Sequence, residues 1–161
     1  MIALLQRVTK AGISVDEREI AAIGPGLCVF IAVEKNDGEP QAVRMAGRLM
    51  NYRVFPDDRG RMNRSLKETG GELLMVPNFT LDAETKKGTR ASFTPAAGPE
   101  KAKKLFGLVK DEIDRRYGRV CSGVFGADMQ VRLVNDGPVT FRLECRPATV
   151  CGASPPIPRS T

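Results

Sequence analysis

The sequence predicts a single domain of the α/β class, built on a mixed, largely antiparallel sheet system with two helices covering one side. Segments with strand patterns outnumber segments with helical spacing, and several of the connections between them are short. A chain of 161 residues fits one domain and is long enough to bury a single core.

The strands of the first half are recognised by their apolar or alternating residues. They are predicted at residues 2–9, 20–23, 27–33, 53–55 and 73–76. Asp16-Glu17-Arg18 marks a hairpin between the first two, and Gly24-Pro25-Gly26 is a turn before the third. The third is continuously apolar, which is typical of a strand that is buried on both faces.

Two segments have apolar residues at helical spacing. The first spans roughly 38–51, starting near Asp37 with Pro40 in its first turn. Its predicted inward residues are Val43, Ala46, Leu49 and Met50. The second runs from about Pro99 to Arg116, with apolar residues at Ala102, Leu105, Phe106, Val109 and Ile113. Each helix is therefore expected to cover the sheet with one apolar face.

The last third is predicted to form two adjacent strands. Apolar and polar residues alternate over 129–133 and again over 139–145, and Asn135-Asp136-Gly137-Pro138 joins the two segments. After residue 146 the composition shifts to proline and small polar residues. We therefore expect residues 1–146 to form the folded domain and residues 147–161 to form a proline-rich, disordered tail.

The charge balance favours a polyanionic partner. Lysine and arginine total 25 against 19 aspartate and glutamate, which gives a net charge of +6 and a pI of about 9.4. Such a surplus suits RNA, and solvated charged faces are the alternative interpretation. The basic residues cluster at Arg59/Arg61/Arg64, Lys86/Lys87/Arg90, Lys101/Lys103/Lys104 and Arg115/Arg116/Arg119.

The sequence contains no histidine. Its absence excludes Ser-His-Asp and Cys-His catalysis and His-ligated zinc. The four cysteines lack C-x-x-C spacing, so we predict neither a metal site nor a disulfide framework. If the protein is an enzyme, it is expected to work without imidazole, metal or cofactor.

No apolar run approaches the ~20 residues that a membrane helix needs. Arg7 and Lys10 interrupt the first strand, so the N-terminus has no charged-then-apolar signal pattern. We therefore expect a cytoplasmic protein that does not associate with membranes.

Two motifs carry the functional prediction. The string Asn135-Asp136-Gly137-Pro138-Val139-Thr140-Phe141 resembles the N-x-G-P-V-T signature of the D-aminoacyl-tRNA deacylases. Pro77-Asn78-Phe79-Thr80-Leu81 resembles the S-Q-x-T signature of that family, with proline and asparagine in place of serine and glutamine. The resemblance covers roughly residues 1–145, because 1–8, 88–93 and 125–129 also fall in the family's order and spacing.

The resemblance implies a three-layer α/β/β fold and a hydrolase acting on aminoacyl-tRNA. Enzymes of this family cleave the ester that joins a D-amino acid, or mischarged glycine, to tRNA, and so proofread chirality in translation. It also implies a homodimer, in which the Gly-Pro loop of one subunit enters the pocket of the other.

The catalytic segment is predicted at Asn78, Phe79 and Thr80. Backbone N–H groups around Phe79 and Thr80 are suited to stabilise the developing oxyanion of an ester. The resemblance implies that the 2′-hydroxyl of the 3′-terminal adenosine assists the reaction. Thr80 is not expected to be a nucleophile, because the chain has no histidine to activate it. From its own pattern, Phe79 is as consistent with the core as with a site wall.

Substrate binding is assigned to Gly137, Pro138, Met129 and Arg7. The Gly137–Pro138 peptide bond is expected to be cis, with its carbonyls accepting the α-ammonium group and excluding an L side chain. Arg7 is expected to brace this loop, and Met129 to lie beside the substrate, although periodicity alone would place Met129 in the core. Taken in isolation, a Gly-Pro pair indicates only a loop.

Two alternatives remain open. Because Asn78 and Pro77 replace glutamine and serine, the chain can be a catalytically weakened tRNA-binding module. It can also be a relaxed-chirality deacylase that edits L-amino acids from tRNA.

Overall fold

The computed structural model describes residues 1–147. Its strands are β1 (Ile2–Val15), β2 (Arg18–Ile23), β3 (Gly26–Ala32), β4 (Phe55–Pro56), β5 (Met62–Arg64), β6 (Glu72–Pro77), β7 (Val120–Ser122) and β8 (Gln130–Glu144). Its helices are α1 (Glu39–Asn51), α2 (Leu66–Thr69), the 3-10 helix Phe79–Asp82, and α3 (Pro99–Arg116). The predicted disordered tail, apart from Pro147, lies outside the described residues.

The main sheet has six strands and is organised around β1. The order is β2-β1-β3-β6-β7, and β8 also pairs with β1. β1 is antiparallel to β2, β3 and β8, whereas β6 is parallel to both β3 and β7. β4 and β5 form a separate antiparallel hairpin. The sheet system is therefore mixed and largely antiparallel, as the sequence predicts.

Successive residues of β3 face two different apolar cores, because side chains alternate across a strand. Leu27 and Val29 pack in the core that contains the helices. Cys28, between them, packs in a second core with Ile13 of β1 and Val131 of β8. The outer part of β1 and the start of β8 thus cover the face of β3 opposite the helices, which gives the α/β/β layering.

The two long helices are confirmed within about one residue of their predicted ends. The apolar residues predicted for α3 are all buried. In α1 the prediction is wrong for Val43, which is only half buried, because Ala42 and Met45 face the core instead.

Over residues 1–147, no helix combines the length and apolar character that crossing a membrane requires.

The predicted pair of adjacent C-terminal strands is wrong. Residues 130–144 form one strand, and both of its halves pair with β1 rather than with each other. Residues 130–133 pair with the far end of β1, and residues 140–144 pair with its start. Irregularities in the register allow the strand to continue past the Gly-Pro loop, which is therefore a bulge and not the end of a hairpin.

Candidate active site

Asn78 begins the 3-10 helix at the end of β6. Its backbone N–H donates to the carbonyl oxygen of Ile31 at 2.9 Å, which fixes the segment against β3. Its side-chain Oδ1 accepts from the Thr80 N–H at 3.2 Å and from the Thr80 hydroxyl at 2.5 Å. Asn78 is therefore the N-cap of this helix.

This cap changes the expected set of oxyanion donors. The Thr80 N–H is already engaged by Asn78, whereas the Phe79 N–H donates to no residue of the described chain. Of the two N–H groups that the sequence suggested, only that of Phe79 is free to bind a substrate. The Asn78 carboxamide oxygen is itself occupied by Thr80.

A cavity of about 290 Å³ opens beside this segment. Its lining residues are Phe30, Val76, Pro77, Asn78, Phe79, Gly126, Ala127, Met129 and Val131. Phe79 is 59% exposed and therefore belongs to the site wall, not to the core. Its ring packs edge-on against that of Phe93, with centroids 5.1 Å apart. Met129 lines the same cavity, and its position beside a substrate stays a prediction.

The Gly-Pro loop is held by its own neighbours in β8. The Asn135 side-chain amide donates to the Val139 carbonyl at 3.2 Å, and its oxygen accepts from the Val139 N–H at 2.7 Å. The Gly137–Pro138 peptide bond is cis, as the resemblance implies. Gly137 has φ +142°, a backbone conformation that favours glycine. Gly137 and Pro138 are both exposed.

Arg7 braces this loop, as expected. Its side chain is only 12% exposed. The Nε atom donates to the Asp136 carbonyl at 3.0 Å and lies 3.2 Å from the Asp136 carboxylate. A terminal nitrogen donates to the Val54 carbonyl at 2.6 Å. One guanidinium therefore joins the loop to the segment that precedes β4, and the fixed fork of donors makes this possible.

Replacing Arg7 with Lys should lower kcat/KM by about tenfold and the free energy of unfolding by about 1–2 kcal/mol, because a single ammonium cannot reach both carbonyls in the guanidinium geometry. Steady-state kinetics and urea unfolding measure the two effects. Gln6→Ala is the control, because Gln6 is the neighbouring residue and its one side-chain hydrogen bond to the described residues, with Thr140, is exposed. Unchanged kinetics for Arg7→Lys would show that the brace is dispensable.

The two parts of the predicted site do not meet within one chain. Arg7, which holds the Gly-Pro loop, pairs with Leu27 of β3, whereas Pro77 pairs with Ile31. Four residues of strand separate these points, which is about 13 Å. Gly137 and Pro138 do not line the cavity at Phe79. Within one chain the loop therefore does not contribute to this cavity, and its entry into the cavity of a partner subunit stays a prediction.

Asp82 closes the 3-10 helix and was not predicted from the sequence. It is 8% exposed, and its Oδ2 atom has no hydrogen-bond partner among residues 1–147. Burial, followed by the nearby Glu34 carboxylate, raises the pKa of Asp82. A single aspartate in a loop pattern gives no signal of burial. Phe93 was also not assigned a role, although it falls in the 88–93 segment that carries part of the resemblance.

Within residues 1–147, the cysteine and acidic side chains do not form a second reactive or metal-binding site near the cavity. Burial raises the pKa of Cys28 to about 12, so this thiol stays protonated at neutral pH. Within residues 1–147, no three histidine, cysteine, aspartate or glutamate side chains are arranged to hold a metal. A larger groove of about 440 Å³ over β1, β2 and β8 contains none of the motif residues.

Comparison with known proteins gives consistent matches over nearly the whole chain. A family model described as D-Tyr-tRNA(Tyr) deacylase matches residues 4–144. A D-aminoacyl-tRNA deacylase of Methylococcus capsulatus is 57% identical, with 91% of this chain and 96% of that protein covered. One of Nitrosococcus oceani is 55% identical, with 92% and 96% covered.

Two solved structures match the fold over most of the chain. One described as c-Myc DNA unwinding element binding protein has a TM-score of 0.87 and 35% identity, covering 91% of this chain and 100% of that chain. A second, described as a probable eukaryotic D-amino acid tRNA deacylase, has a TM-score of 0.75 and covers 88% of this chain and 98% of that chain. Its 18% identity makes it evidence for the fold alone.

Proposed function

The chain belongs to the D-Tyr-tRNA(Tyr) deacylase family, and from this premise we propose that it hydrolyses the ester between a D-amino acid, or mischarged glycine, and tRNA. The observation that carries the proposal is the rigid Gly-Pro loop. Gly137 and Pro138 are exposed, yet Asn135 and Arg7 fix the backbone on both sides of them. A loop with this construction presents backbone carbonyls to a ligand at a fixed distance.

Chirality is enforced by exclusion at this loop. The carbonyls of Gly137 and Pro138 accept the α-ammonium group and approach Cα closely, so that an L side chain collides with the loop. A hydrogen atom or a D side chain points elsewhere. Because no pocket of the enzyme recognises the side chain of the amino acid, the enzyme accepts many D-amino acids and glycine. Specificity comes from the clash that rejects the L isomer.

Ester hydrolysis depends on backbone and substrate groups. The free Phe79 N–H stabilises the oxyanion that develops at the ester carbonyl, a contact whose removal typically costs about 10²–10³ in rate. The 2′-hydroxyl of the 3′-terminal adenosine assists the reaction. Asn78 contributes by capping the helix, which fixes the direction of the Phe79 N–H.

The two halves of the site belong to different subunits of a homodimer. Arg7, which holds the loop, and Pro77, which lines the Phe79 cavity, pair with positions of β3 that are about 13 Å apart, and neither Gly137 nor Pro138 lines that cavity. A two-fold axis that brings the loop of one subunit to the cavity of its partner creates two identical sites.

The deciding experiment compares matched D- and L-tyrosyl-tRNA and glycyl-tRNA as substrates of the purified full-length protein. Release of D-tyrosine and glycine, with L-tyrosyl-tRNA untouched, supports the proposal. Equal cleavage of both isomers identifies a relaxed-chirality deacylase. Binding of tRNA without turnover of any ester identifies a weakened tRNA-binding module, and either of these outcomes rejects the proposal.

Replacing Thr80 with Ala should reduce kcat only moderately, by about 10- to 100-fold. The Thr80 hydroxyl makes a hydrogen bond to Asn78, and losing one such contact costs about 1–3 kcal/mol. The Thr80 N–H can still donate to the Asn78 side chain in this variant. Single-turnover kinetics and mass spectrometry of the quenched protein measure the outcome. A dead variant, together with an acyl group trapped on Thr80 in the unmutated protein, would establish a nucleophile instead.

A further inference from the structure

The arginine hairpin, residues 53–64, is an exposed basic projection that the catalytic proposal does not use. It contains β4 and β5 and the turn between them. Its four arginines are all exposed, and they are Arg53, Arg59, Arg61 and Arg64. Two aspartates accompany them, so the hairpin has a net positive charge.

Asp57 holds the turn of the hairpin in one conformation. Its carboxylate accepts from the Asn63 side chain at 2.8 Å and from the backbone N–H groups of Arg59 and Arg61, both at 2.9 Å. These contacts, the Asn63 hydrogen bond first, lower the pKa of Asp57. Asp57 and Asn63 therefore fix the turn through contacts that do not need the Arg59 side chain.

The guanidinium groups at the turn are available to a ligand. Arg59 makes no side-chain hydrogen bond or ion pair with any of the described residues. Arg61 is 64% exposed, and its one ion pair within residues 1–147, with Asp57, is 3.6 Å long. Planar, fully charged guanidinium groups on a rigid turn are suited to phosphate recognition.

The hairpin is attached to the Gly-Pro loop. The carbonyl of Val54, inside the hairpin, accepts from Arg7, which also donates to the carbonyl of Asp136. Val54 also donates its N–H to the Arg64 carbonyl at 3.1 Å, across the base of the hairpin. One partly buried guanidinium therefore sets the position of both features. If the loop enters the cavity of the partner subunit, the hairpin is carried to the rim of that same cavity.

Resting on the function proposed above, we infer that the arginine hairpin binds the sugar-phosphate backbone at the acceptor end of the tRNA whose 3′ terminus occupies the partner's cavity. The basic segment 86–90 follows the cavity residue Phe79 along the chain and precedes Phe93, whose ring packs against Phe79. Contacts from the hairpin to phosphates set the orientation of the RNA end without reading its sequence.

The first test neutralises the turn in the double variant Arg59→Gln/Arg61→Gln. With D-tyrosyl-tRNA, we expect KM to rise about tenfold with kcat unchanged, and the slope of log KM against log salt to fall by about 2, one for each lost phosphate contact. The loss should be confined to the full-length tRNA substrate, so the D-tyrosyl ester of adenosine should be hydrolysed at the same kcat/KM as before. Melting temperature checks that the hairpin still folds.

The matched control is Arg44→Gln/Lys103→Gln, which removes the same charge from the exposed faces of α1 and α3. Neither side chain has a hydrogen bond or ion pair to residues 1–147. An equal effect in both variants would mean that net charge alone attracts tRNA, and this outcome would overturn the inference. A fall in kcat toward the adenosine ester would also overturn it, because the hairpin would then act on chemistry.

The second test asks whether the hairpin acts at the cavity of its own subunit or at that of the partner. A mixed dimer of one Phe79→Pro chain and one Gly137→Ala chain has a single intact site, made from the cavity of the second chain and the loop of the first. Neutralising Arg59 and Arg61 in the Phe79→Pro chain should raise KM, and the same change in the Gly137→Ala chain should not. The reverse pattern refutes action in trans. Failure of the mixed dimer to deacylate at all contradicts the proposed shared site instead, so the two failures are distinguishable.

Discussion

Replacing Gly137 with Ala is expected to lower kcat/KM for D-tyrosyl-tRNA by about 100-fold or more. A Cβ at this position would lie 2.7 Å from Val139 Cγ2 and 3.0 Å from the Val139 backbone nitrogen. The φ of +142° adds strain for any residue with a side chain. The backbone must therefore shift, and a displacement on the scale of 1 Å in a group that positions the substrate typically costs about 10²-fold in rate.

Gly70→Ala is the matched control for this effect. Gly70 also has a positive φ, of +67°, but a Cβ added there would have no atom of the described residues within 4 Å, and the residue ends α2 rather than facing the site. Both variants should lose stability, because each places a side chain in a backbone conformation with positive φ. Only Gly137→Ala should lose more activity than the loss of folded protein explains. Full activity in Gly137→Ala would mean that the loop does not position the substrate.

Mixing two inactive variants should restore about a quarter of the unmutated activity. Phe79→Pro removes the N–H proposed as the oxyanion donor, at a first helical position where proline is tolerated. Asn78 before it is already extended, at φ −146° and ψ 91°, which suits a residue preceding proline. Gly137→Ala supplies the defective loop. Random exchange makes half of the dimers mixed, and each mixed dimer has one intact site of two, hence about a quarter.

The mixture is assayed by deacylation after subunit exchange has been verified with differently tagged chains. Each variant incubated with itself under the same conditions gives the background. A mixture that exchanges subunits and stays at background would mean that each site is built from one chain. An active species that sediments as a monomer would lead to the same conclusion.

The long elements of this fold were predictable because their patterns extend over many residues. Helix α3 repeats its apolar positions over about three turns, from Ala102 to Ile113, and β3 is apolar after its first residue. The elements that were missed have four residues or fewer, namely α2, β5, β7 and the 3-10 helix, so no periodicity can develop in them. The course of β8 was misjudged because Gly137-Pro138 is typical of a turn, and only pairing with β1 keeps the strand continuous across it.

The motif residues were predictable in identity but not in arrangement. Sequence similarity assigned Asn78, Phe79, Met129 and Arg7, and the structure places the first three around one cavity. The sequence gave no indication that the Asn78 side chain would accept a hydrogen bond from the Thr80 N–H, because that contact depends on the geometry of the cap. It also gave no indication of the buried Asp82. Distances between strand positions, which decide whether the loop reaches the cavity, appear only in the three-dimensional register.

The position of the Gly-Pro loop inside β8 has a consequence for its local unfolding. Pairing with β1 resumes on both sides of the loop, at Asn135 opposite Val8 and at Thr140 opposite Gln6. Loops at hairpin ends open with little cost and exchange their amide hydrogens quickly, whereas core strands open only at free energies near that of global unfolding. The Val139 amide, held by Asn135 between these two pairs, should belong to the second class. Its hydrogen would then exchange with solvent about as slowly as those of β3.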